Sequence, residues 1–110
     1  MVPEIVQYEL KRELLRLRHV NTAAALTQFS HMIPDRYLPL TTAAMERAAE
    51  LWADVRQRGV PTADRFALDV DVILAALVLT AGLGLADVVV ATSNARHLSM
   101  FVPAAEWQTI

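Results

Sequence analysis

Apolar positions recur with the helical period over most of this chain. Val6, Leu10, Leu14 and Leu17 stand at spacings of four, four and three, which predicts one apolar stripe on an N-terminal helix. Pro3 suits the first turn of that helix, where its missing N–H costs nothing. The pattern fades near His19-Val20-Asn21. Glu9, Arg12, Glu13 and Arg16 flank the stripe at separations that allow weak helical ion pairs. A second helix is predicted from Thr22 to about Met32, stopped by Pro34.

Arg36-Tyr37-Leu38-Pro39-Leu40 reads as a short strand, and Pro39 confines it to a sheet edge or a strand end. Thr41 or Thr42 can cap the next helix, whose apolar face is Met45, Ala48, Ala49, Trp52 and Val55. Arg56 and Arg58 in its last turn, with Gly59 just beyond, are matched stop signals, and Pro61 reinforces the break. From about Asp69 to Ala81 apolar side chains occupy nearly the whole circumference, so other elements should cover most of that helix. Gly82-Leu83-Gly84 reads as a turn into a strand at Asp87 to Ala91. The unbroken β-branched run there fits a strand buried on both faces of a parallel sheet. Helices alternating with strands place the chain in the α/β class. The N-terminus is expected to enter a helix directly, with no leading strand.

Composition narrows the setting. A length of 110 residues predicts a single domain spanning 1–110. A hydrophobic fraction of 55% with mean hydropathy of +0.32 argues against disorder. The net charge of -2 leaves no global basic field to attract nucleic acid, so any RNA contact must be local. The absence of cysteine excludes disulfides, a thiolate nucleophile and a zinc–thiolate site. Val72 to Leu85, the longest apolar stretch, is interrupted by Thr80, Gly82 and Gly84, and a spanning helix needs roughly 20 apolar residues. No basic start precedes an apolar run at Met1-Val2-Pro3-Glu4, so a cytoplasmic protein without membrane attachment is expected.

Candidate chemistry centres on three residues. Asp71 opens an apolar helix next to Asp69; the pair can serve as cap and dipole acids, or Asp71 can be a metal ligand. Glu9 is either part of a solvated helix face or a second acid reaching the same site. Asn94, in Thr92-Ser93-Asn94 after the predicted strand, is either a turn residue or a neutral oxygen ligand. Ligand sites in open α/β sheets lie beyond the carboxyl ends of the strands, which draws notice to that junction. His19, His31 and His97 lack partners at ligand spacing. Ser30, Ser93 and Ser99 lack a nucleophile-elbow context. The run Lys11 to His19 is the one basic cluster, either an ordinary helix surface or a phosphate-contacting face beside Glu9.

Three stretches in order resemble the PIN domain, the fold of VapC-type toxin ribonucleases. Tyr8-Glu9-Leu10-Lys11-Arg12-Glu13-Leu14 resembles the helix carrying that family's second acid. Asp71-Val72-Ile73-Leu74-Ala75-Ala76 resembles the stretch of its third acid. Val90 to Leu98 resembles its strand followed by Thr-x-Asn/Asp, and Phe101 to Trp107 fits the closing segment. The resemblance implies a three-layer αβα fold with a parallel sheet and a Mg²⁺- or Mn²⁺-dependent endoribonuclease. It assigns Glu9, Asp71 and Asn94 as metal ligands and catalytic residues, with Lys11 and Arg12 near RNA phosphates. It also implies an RNA substrate, an antitoxin partner and a possible homodimer. The family's first strand, ending in Asp, has no counterpart here. The expectation is therefore an N-terminally incomplete PIN-like domain, a fragment or a start placed too far downstream. Its alternative is a degenerate, non-catalytic module that binds an antitoxin or itself, through apolar edges left open at Leu38 and Val88 to Ala91.

Overall fold

Pro3 ends a short strand and is also the N-cap residue of the helix that follows. In the computed structural model, which describes residues 1–59, 65–92 and 95–109, β1 (Val2–Pro3) pairs in parallel with β2 (Tyr37–Leu38). The register sets Val2 against Tyr37 and Pro3 against Leu38, and Val2 N–H donates to the Arg36 carbonyl at 2.5 Å. The expectation of a chain starting directly in a helix is thereby corrected. A proline lacks the amide that an inner strand must donate, yet it fits at the end of so short a ladder. The strand expected over Arg36 to Leu40 is reduced to its two central residues.

The chain forms an α/β structure in two compact units, Met1–Leu40 and Thr41–Ile110. In the first, α1 (Glu4–Arg16) and α2 (Val20–Met32) form an antiparallel hairpin between the two strands. The connection between them is a Schellman turn: His19 N–H donates to the Leu14 carbonyl at 2.8 Å, and Arg18 N–H to the Leu15 carbonyl at 3.0 Å. Arg18 occupies the left-handed position of this turn, with φ of 63°. Ala23, 1% exposed, is small enough to let the two helices approach. Ser30 is fully buried and donates its hydroxyl to the Leu26 carbonyl at 3.0 Å. Arg36 ties β2 back to α2, donating to the Phe29 carbonyl at 2.9 Å while its guanidinium lies over the Phe29 ring.

The apolar stripe of α1 is covered only at Leu14. Gln7, Lys11 and Leu14 are half-buried, whereas Val6, Leu10 and Leu17 are exposed. Moving one residue along a helix turns the face by about 100°, so the covered side is one step away from the expected one. The Lys11 ammonium accounts for part of this, because it donates to Thr27 Oγ1 on α2 at 2.9 Å. Its stem can then pack while its charge remains satisfied.

The second unit follows its sequence signals more closely. Helix α3 (Thr42–Arg58) is capped by the Thr41 hydroxyl, which accepts from Ala44 N–H at 3.0 Å, and ends at Gly59 in the left-handed conformation. Its buried face is Ala44, Ala48 and Val55, while Met45, Ala49 and Trp52 are exposed. This again departs from the expected face by a fraction of a turn. Helix α4 (Arg65–Thr80) begins earlier than Asp69. As its all-round apolarity required, Val72, Leu74, Ala75, Ala76, Leu77 and Val78 are buried. Ala48 and Val55 of α3 meet Val72 and Ala76 of α4 in one cluster, with Leu51, Ile73 and Phe101 packed against it.

After a left-handed Gly82 and a single turn of 3-10 helix at Leu85–Asp87, β3 (Val90–Thr92) pairs in parallel with β4 (Ala104–Glu106). The short α5 (Ala95–Leu98) lies between them in sequence and buries Leu98, and Val102 just beyond it is buried as well. The strand expected at Asp87 to Ala91, buried on both faces, is therefore shifted and more open. Val89 is 57% exposed and Ala91 is exposed, since among the described residues this ladder has two strands. Among the described residues, no helix is long and apolar enough to cross a membrane.

Candidate functional site

Asp71 has an unusual position for an acid. It is 8% exposed, and among the described residues it is the only buried carboxylate. Helix α4 starts at Arg65, so Asp69 and Asp71 both lie beyond its first turn. That corrects the reading of Asp69 as N-cap and Asp71 as a first-turn dipole acid. Capping and the dipole act on the first turn only, and they cannot account for a carboxylate this far in. Asp69 is exposed, as its displacement of two residues around the helix requires.

Glu9 is exposed on α1 and forms an ion pair with Arg12 at 4.0 Å. The Arg12 guanidinium also lies 5.2 Å from the centre of the Tyr8 ring. Arg16 is bound to Glu13, and Lys11 to Thr27. The basic cluster of α1 is thus largely engaged by its own neighbours, which is the ordinary behaviour of an amphipathic surface. Glu13 is held below the usual carboxylate range by its hydrogen bond to Arg16.

Asn94 and Ser93 lie outside the described residues. Thr92, at the carboxyl end of β3, stands in register opposite Glu106 of β4. Glu106 is exposed, and no sequence signal singled it out, because strand register is decided by pairing and not by local pattern. Among the described residues, no group of three His, Asp or Glu side chains gathers closely enough to hold a metal ion.

A second polar cluster sits in the first unit. The Glu4 carboxylate accepts the Leu40 N–H at 2.7 Å and is hydrogen-bonded to the Tyr37 hydroxyl. The His31 ring lies 4.1 Å from that of Tyr37, tilted by 43°. The Leu40 amide, foremost, and then Tyr37 and His31 hold Glu4 below the usual carboxylate range. Burial, reinforced by Glu4, pushes the Tyr37 phenol up to about 12. These groups join the start of α1, the end of α2 and β2, which is the work of a structural clasp. The chain matches no family model, no curated protein and no solved structure.

Proposed function

We propose that this chain is a PIN-like protein of the toxin–antitoxin type, with a three-layer αβα plan, that cleaves RNA with Mg²⁺ or Mn²⁺. The observation that carries the reading is Asp71, a buried carboxylate in an apolar helix and past the reach of any capping role. A buried carboxylate is kept where it is paired, hydrogen-bonded or bound to a metal, and this reading takes a bound cation as one of its partners. Glu9 and Asn94 are the further oxygen donors this reading assigns. Carboxylate and amide oxygens suit Mg²⁺, which takes oxygen ligands and keeps several of its waters. When bound, such an ion supplies an activated water and offsets charge on the phosphate. RNA is then the substrate, an antitoxin protein and a second copy of the chain are the partners, and the cytoplasm is the compartment.

The test is RNA cleavage by the full chain with Mg²⁺, with Mn²⁺ and with EDTA, followed by circular dichroism of each variant. Cleavage is expected only with the cation. Asp71→Asn or Glu9→Gln should abolish it while the helical signal stays. A folded wild-type chain that leaves RNA intact in both metals would refute the assignment.

The exposed apolar residues Val6, Leu10 and Leu17 on α1 favour a second reading, a non-catalytic module that binds an antitoxin-like helix or itself. That reading predicts association indifferent to EDTA. A monomer by light scattering that captures no antitoxin peptide would remove it.

A further inference from the structure

We draw no further inference here: the strongest candidate, the solvent-facing stripe of Met45, Ala49, Trp52 and Arg56 along α3, carries nothing because nothing in the structure shows what covers it.

Discussion

The backbone amide of Leu40 donates to the carboxylate of Glu4 at 2.7 Å, so the residue that opens α1 also anchors the chain leaving β2. Leu40 and Tyr37 together prefer Glu4 ionised, and Glu4 in turn helps keep Tyr37 neutral.

This clasp makes stability depend on pH at both extremes. The folded pKa of Glu4 lies below its ordinary value of 4.5. Its contribution is therefore present above that value and is lost as pH falls through the folded pKa. The folded pKa of Tyr37 is raised from 10.0 to about 12. Its contribution is complete below the lower figure and disappears as pH climbs through the upper one. Urea midpoints measured against pH should fall on both limbs. Glu4→Gln should flatten the acid limb, and Tyr37→Phe the alkaline limb. An acid limb of the same shape in Glu4→Gln would show that this carboxylate does not govern it.

Arg18 holds a left-handed backbone, φ 63°, at the Schellman position normally given to glycine. An L side chain there costs roughly 1–2 kcal/mol, against which glycine adds about 0.4–1 kcal/mol of unfolded-state entropy. Arg18→Gly should therefore raise stability by up to about 1 kcal/mol, read as a higher urea midpoint with an unchanged slope. Arg18→Ala, which keeps the strain, should bring no such gain.

Both ends of α3 are set by local chemistry and should respond to single changes. Thr41→Ala removes the acceptor for Ala44 N–H and should cost about 1 kcal/mol, while Thr41→Ser should be nearly neutral. Gly59 has φ of 65°, and a Cβ built there meets nothing within 4 Å. Gly59→Ala should thus cost about 1 kcal/mol through backbone strain alone. Thermal or urea denaturation checks both.

The α3–α4 contact depends on small side chains. Ala76 is completely buried between Ala48, Val55 and Val72. Ala76→Leu overpacks this space and should cost about 1–3 kcal/mol. Val72→Ala leaves a cavity instead, at about 2 kcal/mol. Met45→Ser, on the exposed side of α3, should change stability by less than about 0.5 kcal/mol. Equal losses at buried and exposed positions would contradict the assignment of faces.

How much could be read without coordinates differs from element to element. The ends of α3 were legible because Thr41 and Gly59 act on backbone groups within a few residues. The burial of α4 was legible because a helix apolar on every side has no surface to spare for water. Asp71 stood out for the same reason, as a charge in an apolar run. What lay beyond the sequence was every feature that depends on a remote partner. The pairing of Val2–Pro3 with Tyr37–Leu38 joins a segment expected to start a helix to one expected to be a strand, and no local signal links the two. The choice of Gln7, Lys11 and Leu14 over Val6, Leu10 and Leu17 depends on where α2 lies and on Lys11 finding Thr27. The register that sets Thr92 opposite Glu106 arises only when the strands meet. Periodicity and capping are local, so the chain itself determined where most helices run and which class of fold results. The covered faces and paired edges depend on contacts between distant segments, and only the tertiary structure decided them.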